Sequence, residues 1–200
     1  IDRAVVARML TPVGMLGKAE TRAYARRLGL TTAEKQESVE ICFVPNDDYM
    51  SVLERHLPAD APALVPGPLV TTGGEVIGEH QGYGRYTIGQ RKGLPGGFGG
   101  PRYVVAIRPE QREVVIGTSE DLEGHAVRLE ELNWLSDPLE PGDRCEIQVR
   151  YRGRPASAVV VERSTEQLTV ALENPVRAVT PGQSGVLYAG DRVLGGGVIA

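Results

Sequence analysis

Before residue 58 the apolar residues recur at helical spacing; after residue 68 they gather into short runs of Val, Leu and Ile broken by Gly, Pro and charged turns. Residues 18–28, KAETRAYARRL, are strong helix formers. Gly29 follows as a C-terminal stop, with Arg26 and Arg27 in the last turn, where cations suit the helix dipole. A second helix is predicted from an Asn46 cap, with Asp47 and Asp48 in its first turn, Tyr49, Val52, Leu53 and Leu57 on one face, and Pro58 as terminator. Between the two helices lies TTAEKQESVEICFVP, which holds Cys42. The run PADAPALVPGP, from Pro58 to Pro68, reads as a linker or long loop.

Beyond it the pattern is that of strands. LVTT and EVIG flank Gly73-Gly74 as a tight hairpin, and YVVAI and EVVIG flank RPEQR as a looser one. CEIQVRY and SAVVVE follow around RGRPA, then QLTVALE, SGVLYA and VLGGGVIA. Alternation along CEIQVRY puts Cys145, Ile147, Val149 and Tyr151 on one strand face, which makes Cys145 a core residue. Strands this short, at turn-punctuated spacing, imply a small barrel or sandwich.

Composition narrows the function classes. At 200 residues with 41% apolar content, the chain holds one or two globular domains with a real core. A net charge of -4 argues against a strong electrostatic binder of nucleic acid acting alone. Residues 125–200 carry eight Arg against ten Asp and Glu, so this stretch would add oriented contacts and little affinity. Two cysteines more than a hundred positions apart, without CxxC, and His56, His80 and His125 scattered singly, predict a reducing compartment and no metal. No apolar run reaches the roughly 20 residues that span a bilayer, so a cytoplasmic location without a membrane partner is expected. The chain starts at Ile1 without an initiator Met, which suggests a fragment.

Nucleotide and nucleophile motifs are absent from the sequence. No glycine-rich loop stands between a strand and a helix to cradle a phosphate, since GGFGG at 96–100 leads into Pro101 and a strand. GQSG around Ser184 lacks the glycine spacing of a nucleophile elbow.

Several stretches, in order and at matching spacing, resemble the tRNA-specific 2-thiouridylases, the MnmA family, which replace the C2 oxygen of the wobble uridine by sulfur. They are LTPVGMLGKAETRAYARRLGLTTAEKQESVEICFV, VIGEHQGYGRYTIGQRKGL, RYVVAI, LNWL around Trp134, VRYR around Arg150 and Tyr151, and VRAVTPGQSGVLYAGDRVLGGGVI. The resemblance implies a mainly β chain with a short α-helical N-terminal segment, a small central domain and a C-terminal β-barrel. Residues 1–44 would be the tail of a truncated adenylating domain, 45–124 the central domain and 125–200 the barrel.

In the family, ATP, with magnesium, activates the uridine oxygen at a pyrophosphate loop that this sequence lacks, so no cofactor is expected on this fragment and no activity from it alone. The sulfur arrives as a persulfide on the cysteine matching Cys42, delivered by a cysteine desulfurase or a relay carrier. A first cysteine, also absent here, frees it and leaves a disulfide that reductant reopens. The resemblance places tRNA contacts at Arg150, Tyr151 and Gln183, with Arg91 and Lys92 of GQRKGL near phosphate or the reactive loop, in a monomeric enzyme. His80 and Tyr83 read as structural.

Local chemistry gives Cys42 a plainer reading. A cysteine between Ile41 and Phe43 is ordinarily a small buried hydrophobe, and Glu37 and Glu40 would raise a thiol pKa against Lys35 alone. Glu40 stands where the family has glycine. The competing function is a non-catalytic β-barrel binding module of the translation-factor type, with Cys42 buried and inert.

Overall fold

A computed structural model describes residues 1–35, 44, 48–94, 96 and 99–200. Cys42, with Glu37, Glu40 and the Asn46 cap, lies outside the described residues.

The chain opens with α1 (Arg3–Val6) and α2 (Lys18–Arg27). Glu20 accepts from the Gly17 N–H at 2.7 Å to start α2. Gly29, at φ +66°, ends it: its N–H donates to the Arg26 carbonyl and that of Leu30 to the Ala25 carbonyl, both at 2.9 Å. This paired closure needs a left-handed residue, which is why the helix stops at the glycine. Helix α3 (Tyr49–His56) is capped by Asp48, whose carboxylate accepts from the Ser51 N–H at 3.1 Å, so its cap is Asp48 where Asn46 was expected. Neither α2 nor α3 buries a side chain, and Met9, Leu10, Val13, Met15, Leu28 and Leu30 stand exposed.

A four-stranded sheet of order β2-β1-β4-β3 follows, built from β1 (Gly67–Thr71), β2 (Val76–His80), β3 (Tyr103–Arg108) and β4 (Glu113–Gly117). Both predicted hairpins are present, and a parallel β1–β4 pairing that local pattern cannot reveal joins them. Of the two readings of residues 58–68, linker or long loop, the structure has the loop, and it is packed. Its Ala63 carbonyl accepts from the Gly84 N–H at 2.9 Å, and β1 begins inside it at Gly67. His80 is 1% exposed and is a strut: its Nε2–H donates to the Arg112 carbonyl at 2.9 Å and its Nδ1 accepts from the Gly82 N–H at 3.0 Å. A carbonyl can only accept, so this pair of bonds fixes the tautomer. Leu69, Val104, Val114 and Ile116 form the sheet's core.

The last part is a closed six-stranded barrel of order β10-β5-β8-β7-β6-β9. Its strands are β5 (Glu123–Trp134), β6 (Arg144–Gln148), β7 (Ala156–Arg163), β8 (Leu168–Arg177), β9 (Ser184–Ala189) and β10 (Arg192–Ile199). The pattern chooses between barrel and sandwich only here, where closure leaves no free edge. Val127, Leu129, Ile147, Val149, Val160, Leu168, Val170 and Leu187 fill the interior beside Cys145. Two expectations change. Strand β5 is hard to read in the sequence because Val127-Arg128-Leu129-Glu130 alternates but Glu131, at φ +51°, adds a second polar residue that bulges the strand and shifts the phase. Tyr151 does not share the Cys145 face: β6 ends at Gln148, the chain turns, and Tyr151 is 87% exposed.

Closure rests on Gly195, Gly196 and Gly197 of β10. A Cβ on them would meet the Asn133 carbonyl at 2.6 Å, the Gly185 carbonyl at 2.4 Å and the Glu130 carbonyl at 2.3 Å. All three obstacles are backbone and cannot swing aside. Gly196→Ala is therefore expected to lower stability by about 1–3 kcal/mol or more, read as a fall in the urea midpoint. Gly100→Ala, where a Cβ meets nothing within 4 Å, should stay within about 0.5 kcal/mol. Equal midpoints for the two variants would disprove the closure argument.

Candidate nucleic-acid interface

Antiparallel pairing decides which loops share an end of the barrel. Gln148 of β6 faces Val186 of β9, and Ala158 of β7 faces Leu172 of β8. The β6–β7 turn, with Arg150 and Tyr151, therefore opens at the same end as the β8–β9 corner, with Gln183. The corner residue Ala178 has φ +57°, and its N–H donates to the Leu122 carbonyl at 2.9 Å. Next to it, the Arg177 guanidinium lies 5.3 Å from the centroid of the Tyr103 ring.

The loop bearing Arg91 and Lys92 meets this same corner. A Cβ on Gly89 would sit 3.4 Å from the Ala178 Cβ. Gly89 N–H donates to the Val104 carbonyl at 2.8 Å, Val104 N–H to the Gln90 carbonyl at 2.9 Å, and the Gln90 amide donates to the Lys92 carbonyl at 3.0 Å. Arg91 and Lys92 are exposed on a turn braced from within. Gln183 is exposed too, while its carbonyl accepts from Ile199 N–H at 2.8 Å, which ties it to the end of β10. Arg150, Tyr151 and Gln183 thus share one end of the barrel, and the loop that carries Arg91 and Lys92 abuts the corner at that end through Gly89.

Charge divides along the barrel. The β6–β7 turn VRYRGRP carries Arg150, Arg152 and Arg154 and no acid, and AVTPGQ of the β8–β9 corner carries no charge. Loops at the opposite end hold Asp137, Glu140, Asp143, Glu166 and Asp191 and no Lys or Arg. Ion pairs sharpen the contrast. Arg128 pairs with Glu130, Arg144 with Glu173 and Arg163 with Glu140, whereas the three turn arginines meet no carboxylate of a described residue. Arg152 and Arg154 do not stand out as contacts in the sequence because an arginine-rich hairpin end such as RYRGR is ordinarily just solvated, and net charge over residues 125–200 averages the two ends together.

One concave surface of the barrel suits a nucleotide poorly. A cavity of about 400 Å³ is lined by Glu130, Glu131, Leu132, Thr165, Glu166 and Gln167, and its carboxylates repel phosphate. No group of three or more His, Cys, Asp or Glu able to hold a metal occurs among the described residues. No helix among them is long and apolar enough to cross a membrane.

Comparison with known proteins agrees along the chain. Residues 1–46 match the tRNA methyl transferase HUP domain, 51–118 the tRNA methyl transferase PRC-barrel domain and 124–199 the aminomethyltransferase beta-barrel domain. The tRNA-specific 2-thiouridylase MnmA of Acidithiobacillus ferrooxidans is 43% identical over 201 residues, covering 100% of this chain and 56% of the relative. That of Carboxydothermus hydrogenoformans is 43% identical over 200 residues, with 100% and 54% covered. Its counterpart in Chloroflexus aurantiacus is 41% identical over 201 residues, with 100% and 55% covered. The chain belongs to the MnmA family.

This family member spans about half the length of the curated relatives it matches. The described residues nearest Cys42 are fixed: Ala33 and Val44 are buried, Arg26 pairs with Glu34, and Arg22 donates to the Lys35 carbonyl at 3.4 Å. Its second cysteine, Cys145, is 7% exposed, and burial, helped by Asp143 and Glu146, pushes the thiol up to about 11.

A raised thiol pKa means that the folded state holds its proton where the unfolded state gives it up. Cys145 therefore contributes stability that is present below about pH 9 and lost as pH rises toward 11. Cys145→Ala is expected to flatten the fall in urea midpoint across that window. An unchanged slope would show that Cys145 does not supply it.

Proposed function

We propose that this chain is the sulfur-carrying and tRNA-orienting part of a tRNA uridine 2-sulfurtransferase. The observation that carries the reading is the 41–43% identity to 2-thiouridylases across the whole of this sequence. The open apolar surface over residues 1–30 supports it, because faces of this kind are ordinarily packed against further protein.

In this reading Cys42 accepts a persulfide from a cysteine desulfurase or relay carrier. The outer sulfur attacks C2 of a uridine whose oxygen ATP has adenylated, and AMP leaves with that oxygen. A second cysteine, outside this chain, attacks the Cys42 sulfur, breaks the S–S bond and forms the disulfide that an external dithiol reduces. The described residues offer no phosphate cradle, so neither ATP nor magnesium is assigned to them. Arg150, Tyr151 and Gln183 orient the tRNA, with Arg91 and Lys92 on the adjoining loop. The setting is the cytoplasm and the working form a monomer.

The test uses the full-length protein. Cys42→Ser should abolish both persulfide capture and 2-thiouridine in hydrolysed tRNA, while Cys145→Ser keeps both. Thiolation that survives Cys42→Ser would leave the barrel-module reading in its place. Arg150→Ala and Gln183→Ala should weaken tRNA binding with unchanged unfolding midpoints, and Arg150→Ala should lower the slope of log K against log salt by about 1. Unchanged affinity in both variants would remove these residues from the interface.

A further inference from the structure

The β6–β7 turn carries more organisation than a solvated hairpin end requires. Gln148, the last residue of β6, reaches over it: its side-chain amide donates to the Arg150 carbonyl at 3.2 Å and the Gly153 carbonyl at 2.9 Å. The Gly153 N–H closes the turn on the Arg150 carbonyl at 3.0 Å. Tyr188 of β9 donates its hydroxyl to Gln148 Oε1 at 3.2 Å, which fixes the amide's orientation. Val149, 4% exposed, roots the turn in the barrel core. The shape of the turn is thus held by strand residues, before any ligand arrives.

What this frame presents is Tyr151, 87% exposed, with the Arg152 guanidinium 5.2 Å from its ring centroid. Arg152 takes that position through φ +60°, a conformation uncommon for a residue with a side chain. An exposed aromatic loses stability to no core and gains none from one. Stacked with Arg152, in a turn that also carries Arg150 and Arg154, it has the make-up of a surface that takes a flat, electron-rich ligand on an anionic backbone.

We propose that Tyr151 and Arg152 form a stacking platform for one unpaired nucleobase of the RNA, and that Gln148, held by Tyr188, is the positioning residue that presets it. This rests on the tRNA reading above and adds to it the kind of nucleotide recognised. A duplex buries its bases in the stack and can offer the turn only phosphates; a loop or single strand can offer a base face.

The experiment measures binding of an unmodified tRNA transcript and of a blunt, fully paired RNA duplex to the full-length protein, across a salt series. Tyr151→Ala should weaken tRNA binding about tenfold, leave the duplex unaffected, and keep the salt slope, because no phosphate contact is lost. Tyr151→Phe should bind as the parent does. Arg152→Lys keeps the charge but not the planar group, and should lose more for tRNA than for duplex. Gln148→Ala should reproduce the tRNA-specific loss with the unfolding midpoint within a few degrees. If the full-length parent binds neither RNA, the tRNA reading itself fails. If it binds tRNA and Tyr151→Ala does not alter this, or if both RNAs weaken alike, the platform is overturned while the reading stands. Intact tRNA binding with weakened capture of a desulfurase by Tyr151→Ala would make the turn a protein contact and overturns the proposal equally.

Discussion

Three consecutive glycines in β10 hold the barrel closed, and the placement of its loops depends on them. Strand β10 lies between β5 and β9, and at Gly195, Gly196 and Gly197 the backbones on both sides approach closely enough to exclude a methyl group. Opening that seam would free β9 from its register with β6, in which Glu146, Ile147 and Gln148 face Tyr188, Leu187 and Val186. The Tyr188–Gln148 hydrogen bond and the level of Gln183 beside the arginine turn both follow from that register. A sandwich built from the same strands would place these loops according to a different pairing.

The β8–β9 corner passes this order on to the sheet. Ala178 accepts an unfavourable φ while its N–H reaches the Leu122 carbonyl and its methyl fills the space beside Gly89. Val179 lies against Gly124, where a Cβ would come within 2.9 Å of its Cγ2. Together with Arg177 over Tyr103, these contacts set loop 87–94 beside the barrel end that bears the arginines. A strained residue persists where its surroundings determine it fully, and Ala178 is bonded on one side and packed on the other.

Local elements were largely legible in the sequence. Gly29 and the Gly73-Gly74 turn announce themselves, since φ above zero admits few other residues. The strands with uninterrupted Val and Ile were equally plain. Three things were hidden. Strand β5 carries its polar residues at a bulge, so period-two counting fails there. The Asp48 cap competes with two equally suitable residues before it, and side-chain type cannot rank them. Tyr151 continues the Cys145, Ile147, Val149 alternation in sequence, but Gln148 ends the ladder, and a turn held by a side-chain amide leaves no mark in the hydrophobic pattern. Of the site residues, the motif resemblance supplied Arg150, Tyr151 and Gln183, while their convergence on one barrel end needed the strand register.

Net charge was the least informative quantity for this chain, for a physical reason. Strand β6 has five residues, so the two barrel ends are separated by about 17 Å. At physiological ionic strength, interactions between exposed charges are screened over about 8 Å. The carboxylates of the far loops therefore do little to offset Arg150, Arg152 and Arg154, and the β6–β7 turn presents positive charge despite the overall charge of -4, while Glu120, Asp121 and Glu123 stand beside the start of β5 at the same end. The far-loop carboxylates still act at longer range when salt is low, repelling RNA that approaches from the wrong side. A barrel whose arginines gather in one turn would orient a bound polyanion more than attract it, which is what the proposed tRNA-orienting part requires.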